Sequence, residues 1–403
     1  MENKSLAKVN IHIPDYALRV MERIESAGED IYIVGGSLRD ALLGLSANDY
    51  DMACSALPER TEEILHGFRI IETGLKHGTL TVICDSNPIE ITTFRVDGEY
   101  LDSRRPEKVS FTRSIDEDLA RRDFTVNAMA YSKNSGLIDL FGGEDDLQKK
   151  LIRAVGDPRR RFDEDALRIM RAFRFSAQLG FDIEDGTLEA AGALKGKLDN
   201  ISRERIGAEF LRLICSDYPE KPLLQMKALG IFPFVTGGFV PDEKLFAHLS
   251  LMPKVAEARL GFLLFDADTE QAREVCSLLK CSNKQKSGAL AVAKGAHKKI
   301  ATPKDAALLK AAVGEYDRIC VKASVLLGIS EPQGELFVEN NSAPSCIGDL
   351  AIGGAELVAL GLCGKEIGEM LDFLLEAVIN DPALNTREKL VLTATEKLKE
   401  KGE

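Results

Sequence analysis

Within residues 31–54 the chain carries a glycine pair, Gly35-Gly36, an arginine, Arg39, and two aspartates, Asp49 and Asp51. Side chains alternate along an extended strand, so Asp49 and Asp51 point to one face and Tyr50 to the other. Two carboxylates on one face suit a divalent cation. A glycine turn at a helix start presents backbone N–H groups, and with Arg39 one helical turn inside, it suits a polyphosphate. Singly, each feature is commonplace: a glycine pair after a strand is usually a tight turn, and D-x-D is usually a solvated strand end. The combination at this spacing is specific.

The elements that must hold these residues follow from local pattern. The apolar run Ile31-Tyr32-Ile33-Val34 reads as a buried strand. Ser37 is placed to cap a short helix, Leu38 to Leu43, with Gly44 as its stop. A lead-in helix is expected from Tyr16 to Ala27, and Pro58 stands where a helix, Glu59 to His66, begins. Strands are expected at Phe68–Glu72, Thr79–Cys84 and Ile89–Phe94, the first two joined by a turn over residues 73–78. Alternating strands and helices make this a mixed α/β or α+β unit. Glu90, on the last strand, is either a third site carboxylate or an ordinary strand glutamate. The polar stretch Val96 to Val109 is either a solvated connector or a mobile element that closes near a nucleotide.

Further on, Arg121, Arg122 and Asp123 fall between two helical pieces of the segment Glu117 to Tyr131. An adjacent arginine and carboxylate can hold a ribose or a triphosphate, though for an isolated RRD a helix-end salt bridge is the better reading. Leu137–Phe141 and Leu151–Val155 read as the last strands. After Asp157 the pattern is helical. One amphipathic helix is expected over residues 159–181, with Leu167, Met170, Phe173 and Ala177 on its apolar side. Asp165, Arg168, Arg171 and Arg174 recur every three residues and make one polar row. The arginines outnumber the acid, which leaves positive charge for a ligand.

That row can choose a base. Cytosine shows an N4 donor beside the N3 acceptor, and adenine an N6 donor beside N1. Asp165 can only accept and Arg168 can only donate. Uracil and guanine reverse the pattern, and a buried polar group left unmatched costs about 1–3 kcal/mol. Two side chains could thus select C and A without a nucleic-acid template.

Composition narrows the class. The 403 residues imply two to four structural units, and 45% hydrophobic with 29% charged residues is ordinary for a globular core. No apolar run is long enough to span a bilayer, and the first residues lack a signal-peptide core. Eight cysteines without C-x-x-C pairs indicate neither a zinc site nor a disulfide framework, consistent with a reducing cytoplasm. A net charge of −12 argues against nucleic-acid binding over the whole surface. It leaves room for a local basic groove, and the basic residues between Lys149 and Arg174 are the stretch to search for one.

The segments GGSLRDALLG, DYD, RRDFTVNA and EDALRIMRAFRF, in this order, resemble the class II tRNA nucleotidyltransferases of bacteria, the CCA-adding enzymes of the polymerase-beta superfamily. The resemblance runs through TGLKHGTLTV, EITTFRVDGEY and residues 202–210. It resumes from LAIGGAELVALGLCGKEIGEML to NTREKL and is weak over about 232–345. It implies an α+β fold, a polymerase-beta-like nucleotidyltransferase head followed by all-helical neck, body and tail, at 1–150, 151–215, 216–310 and 311–403. Asp49 and Asp51 would hold two Mg2+ ions. Gly35, Gly36 and Arg39 would cradle the triphosphate, and Arg122 with Asp123 would contact the ribose. Asp165 and Arg168 would be the template for C and A, supported by Arg171 and Arg174. The family pattern leaves Glu90 open.

The implied activity is addition and repair of the 3′-terminal CCA of tRNA from CTP and ATP, with metal-assisted release of pyrophosphate. The alternatives are an A-adding-only enzyme, a poly(A) polymerase, or a non-catalytic RNA-binding protein. Lys280, Lys284, Lys286, Lys294, Lys298 and Lys299 are either tRNA phosphate contacts or a solvated helix face. No His-Asp dipeptide occurs, so no appended phosphohydrolase is expected.

Overall fold

The computed structural model describes residues 11–45, 50–74, 78–97, 109–341 and 344–402. Two compact units result, Met1–Leu213 with Gln225–Phe234, and Ile214–Leu224 with Val235–Glu403.

The first unit is built on a seven-stranded sheet. Its strands are β1 (Ile31–Val34), β2 (Tyr50–Cys54), β3 (Arg69–Gly74), β4 (Thr79–Cys84) and β5 (Asn87–Thr93). A separate ribbon pairs β6 (Arg95–Asp97) with β7 (Val109–Phe111), and β8 (Met129–Ser132) with β9 (Gly136–Asp139) completes the large sheet. The order is β3-β4-β5-β2-β1-β8-β9. All four residues of β1 are buried, as a continuous apolar run should be in a sheet centre covered on both faces. Helix α1 (Asp15–Ser26) buries Ala17, Val20, Met21 and Ile24, one helical stripe. Helix α2 (Gly35–Leu42) follows β1 directly, and α3 (Pro58–Ile64) starts on its proline. Helix α4 (Ile115–Ala120) is capped by Ser114, whose hydroxyl accepts the Glu117 N–H, and α5 (Gly143–Lys149) follows β9.

Two expectations are corrected here. Met129–Tyr131 belongs to no helix: a single 3-10 turn, Thr125–Asn127, ends the helical path, and β8 pairs antiparallel with β1, Ile33 opposite Tyr131. Long-range pairing overrides the helix propensity of Met and Ala. Leu151–Ile152, β10, lies outside the large sheet and pairs in parallel with β11, Asp182–Ile183.

The helix expected over 159–181 is also two. Helix α6 (Pro158–Glu164) stops at Asp165, whose φ of −141° and ψ of 102° are extended, and α7 (Leu167–Leu179) begins beyond it. The Asp165 carboxylate accepts the Leu167 N–H at 3.0 Å, a local bond that competes with helix continuation. Helix α7 buries Ile169, Met170, Ala172 and Phe173, and its Phe175 ring meets Phe124 edge-on. Helices α8 (Asp185–Leu194) and α9 (Arg203–Ile214) follow.

Among the described residues the chain after α9 forms only helices. They are α10 (Glu220–Ala228), α11 (Phe232–Thr236), α12 (Phe246–Leu249), α13 (Ala256–Leu263), α14 (Thr269–Leu278) and α15 (Asn283–Gly295). Then come α16 (Pro303–Val313), α17 (Asp317–Leu326), α18 (Gln333–Glu339), α19 (Gly354–Ala359), α20 (Lys365–Asn380) and α21 (Arg387–Gly402). In the second unit Val292, Ile300, Leu309, Val321 and Val338 form one core, and Leu357, Leu374, Val378 and Leu390 another. Arg259 is wholly buried there and donates to the carbonyls of Ile214, Ser216, Ser250 and Met252.

Candidate active site

The glycine turn sits where β1 becomes α2. Gly35 has a φ of 69°, a left-handed conformation that a side chain would strain. A Cβ on Gly35 would stand 3.4 Å from Arg122 Nη1 and 3.8 Å from Asp51 Oδ2, and one on Gly36 would stand 3.5 Å from Arg39 Nη2. The glycine pair, the aspartate strand and the RRD segment therefore meet at one point. Ser37 does not cap α2, because the helix opens on the glycines themselves after Val34. Its hydroxyl instead donates to Val34 O at 3.0 Å and accepts the Asp51 N–H at 3.2 Å, tying the helix to β2.

Strand β2 runs parallel to β5 with Asp51 directly opposite Glu90. Paired residues share a face, and neighbouring strands lie about 4.8 Å apart. Asp51 is half-buried and Glu90 exposed. Hard carboxylate oxygens side by side fit a divalent cation. Asp49 lies outside the described residues, and among those described no three acidic, histidine or cysteine side chains form a metal-binding group. Of the loop over 96–109, residues 98–108 are likewise outside them; its base is the β6–β7 ribbon.

Arg121 and Arg122 both close on Asp118, one carboxylate oxygen each, at 2.7 and 2.9 Å. Spacings of three and four on α4 make this the helix-end ion pair that the sequence offered, with Asp118 as the partner that it did not name. Burial raises the Asp118 carboxyl, but Arg122 and Arg121 hold it below its ordinary value. Asp123 is buried. Its Oδ1 accepts from Phe124 N and Asn127 Nδ2, and its Oδ2 accepts from Arg171 Nε at 2.7 Å and Nη2 at 2.6 Å. Burial again pushes upward, yet Arg171, with Arg168 and Asn127, holds the Asp123 carboxyl at about 2.

Arg39 is buried, bonded to Asp40 and donating from Nη1 to Asn127 Oδ1 at 2.8 Å. A continuous chain, Arg39–Asn127–Asp123–Arg171, thus links the glycine-turn helix to α7. Phe175 lies beneath it, with the guanidinium carbons of Arg39, Arg171 and Arg174 at 5.4, 5.2 and 3.9 Å from the ring centroid. Asn127 and Phe175 fall within the motifs RRDFTVNA and EDALRIMRAFRF but were given no role, because neither belongs to a charged or metal-binding pattern.

The polar row is not as expected. Asp165 stands in the break between α6 and α7, and the side chains of Asp165 and Arg168 turn to different partners. Arg168 donates to Glu164 Oε2 (3.0 Å), Arg161 O (3.2 Å) and Arg121 O (2.8 Å). Asp165 Oδ2 accepts from Arg205 Nη2 at 2.8 Å. Arg174 pairs with Glu209 and donates to Gln178. The excess of positive charge is therefore corrected: Glu164, Asp123 and Glu209 neutralise the row, all three from outside α7. Glu164 also binds Arg160 and Arg161. Arg205 and Glu209 both fall in residues 202–210, a segment of the resemblance whose roles the sequence did not disclose.

A glycine turn, a carboxylate strand and an arginine-lined helix on one mixed sheet define a nucleotidyltransferase of the poly(A) polymerase type. Residues 31–153 match the family described as poly A polymerase head domain, and residues 180–237 match "probable RNA and SrmB-binding site of polymerase A". The CCA-adding enzyme of Streptococcus gordonii is 48% identical over 282 residues, which are 66% of this chain and 70% of that protein. That of Leuconostoc citreum is 44% identical over 240 residues, 60% of this chain and 59% of its own length. The Bacillus stearothermophilus CCA-adding enzyme, solved with CTP, superposes with a TM-score of 0.82 at 30% identity, covering 96% of this chain and 98% of that one. The Thermotoga maritima enzyme solved with tRNA shares the fold, with a TM-score of 0.66 at 22% identity, covering 97% of each chain. The chain belongs to the CCA-adding enzymes, a family of tRNA nucleotidyltransferases.

Proposed function

We propose that this chain adds and repairs the 3′-terminal CCA of tRNA without a nucleic-acid template, using CTP and ATP and releasing pyrophosphate. The carrying observation is the meeting of Gly35, Asp51 and Arg122 at one point. In this reading the Gly35-Gly36 turn, Arg39 and Arg122 hold the triphosphate, and Arg122 with Asp123 orients the ribose. Asp51, together with Asp49 and Glu90, would hold magnesium, whose oxygen-ligand chemistry this donor set fits. Magnesium when bound would lower the pKa of the RNA 3′-hydroxyl and neutralise the leaving pyrophosphate.

Asp165 accepts from the exocyclic amine of C or A, and Arg168 donates to the adjoining ring nitrogen, with Arg171 and Arg174 in support. Both template side chains already hold protein partners, so base entry exchanges a bond rather than filling a vacancy. A mismatched base forfeits that exchange at about 1–3 kcal/mol. We assign 1–150 to a catalytic head, 151–215 to a base-selecting neck, 216–310 to a body and 311–403 to a tRNA-binding tail. No helix among the described residues is long and apolar enough to cross a membrane, and we place the enzyme in the cytoplasm.

The test uses purified protein, magnesium and tRNAs ending before CCA, after C and after CC, each with labelled CTP, ATP or both. Extension of all three to CCA followed by arrest is the expected result. Addition of A to the CC-ended tRNA alone identifies an A-adding enzyme. Long A tails on unrelated RNA identify a poly(A) polymerase, and tRNA binding with no incorporation a non-catalytic RNA-binding protein.

A further inference from the structure

Helix α14 ends in a tight turn between two cysteines. The Cys281 N–H donates to Cys276 O at 3.0 Å, the Lys280 N–H donates to Ser277 O at 3.2 Å, and Lys280 takes a left-handed φ of 54°. This is a Schellman turn, whose six-residue hydrogen bond brings its two end side chains together. Those ends are ordinarily apolar residues; here both are thiols. Cys276 is wholly buried and Cys281 is partly exposed, and each thiol shifts the acidity of the other.

The surroundings differentiate the two sulfurs. Cys281 immediately precedes Ser282, which caps α15 with Gln285 in a reciprocal pair of hydrogen bonds. Lys286, one turn into α15, donates to Ser277 Oγ at 3.1 Å and adds positive charge beside Cys281. The neighbouring Cys276 thiol chiefly holds the Cys281 thiol below its usual value, against the effect of burial, and Lys286 adds to this. The Cys281 thiol beside it, together with burial, raises Cys276. An accessible thiol with thiolate character beside a buried partner is the arrangement of an attacking and a resolving cysteine.

We propose that Cys281 and Cys276 are a peroxide-oxidisable dithiol that closes into an intramolecular disulfide. The Cys281 thiolate attacks a peroxide oxygen and the O–O bond breaks. Cys281 becomes a sulfenic acid, and the leaving hydroxide is protonated to water. Cys276, giving up its proton to solvent, attacks the Cys281 sulfur; the S–S bond forms, the S–OH bond breaks, and the hydroxide leaves as water. Overall two thiols lose two electrons and two protons, and one hydrogen peroxide becomes two waters. The Cys281 N–H bond to Cys276 O, at 3.0 Å, already holds the two residues adjacent across the turn.

The sequence supplies its own readout, because trypsin cleaves after Arg273, Lys280 and Lys284 and so separates the two cysteines. The full-length protein is treated with hydrogen peroxide, blocked with iodoacetamide, digested and analysed by mass spectrometry. The expected result is a disulfide-linked pair of peptides 274–280 and 281–284, lost on dithiothreitol treatment, with alkylation of both cysteines falling in equal measure. The exposed Cys346 and Cys363 serve as internal controls of oxidation. In Cys276→Ser, Cys281 should accumulate as a dimedone-reactive sulfenic acid that is absent from the wild type. Cys281 advancing to sulfinic acid while Cys276 stays alkylatable would overturn the proposal. So would oxidation of Cys346 and Cys363 with the pair left reduced.

Discussion

Asp165 Oδ2 accepts a hydrogen bond from Arg205 Nη2, 40 residues further along the chain, at 2.8 Å. The proposed template carboxylate is thus aimed by a guanidinium on α9, while its other oxygen is fixed by Leu167 N. Arg205→Met should leave Asp165 half-anchored. We expect KM for CTP and ATP to rise, and the kcat/KM preference over UTP to fall roughly tenfold, within the range for one unmatched buried polar group. Lost stability with intact preference would leave Arg205 a purely structural partner.

Asp51 and Glu90 stand directly opposite each other on β2 and β5, so a substitution at each tests the proposed shared cation. Asp51→Ala should abolish incorporation with tRNA affinity barely changed. Glu90→Gln should raise the magnesium concentration for half-maximal rate by roughly tenfold or more if it shares the cation. An unaltered magnesium titration in Glu90→Gln would make it an ordinary strand glutamate.

The Asp123–Arg171 pair carries a pH signature. Its carboxyl is held at about 2 against an ordinary 3.8, so the folded state binds its proton less readily than the unfolded chain. The stabilisation, about 2 kcal/mol, is complete above pH ~4 and drains away as pH falls toward 2. Urea unfolding of wild type and Asp123→Asn from pH 6 downward should show a gap in midpoint that narrows below pH ~4. A gap independent of pH would place the effect in packing instead.

Gly261 on α13 is wholly enclosed by α15. A Cβ there would lie 2.6 Å from Val292 Cβ and 2.7 Å from Ala289 O. Gly261→Ala should therefore destabilise by about 1–3 kcal/mol through overpacking. Gly196→Ala, whose added carbon meets nothing within 4 Å, is the control and should leave the denaturant midpoint unchanged or slightly raised. Equal behaviour of the two variants would mean that α13 and α15 can part without cost.

What the sequence by itself determined was local. The buried run of β1, the stripe of α1, the proline start of α3 and the strands around Thr79–Cys84 and Glu90 all follow from periodicity and turn chemistry within a few residues. The glycine pair, the aspartates and the RRD segment stood out as candidate chemistry for the same reason: each is a short motif. Even the Asp118 clasp on Arg121 and Arg122 was readable, as a helical spacing.

Tertiary structure decided the rest. Strand β8 exists because β1 offers it a partner nearly a hundred residues earlier, and no local pattern in Met129–Ser132 reports that offer. Spacing put Asp165 and Arg168 on one helical row. In the fold a single hydrogen bond to Leu167 marks the break at Asp165, and the two side chains go to Arg205 and Glu164. Counting charges along one helix suggested free arginines, yet Asp123 and Glu209 arrive from elsewhere to neutralise them. An ion pair is set by distance in space, and a helical period carries information only about the few residues that share its face.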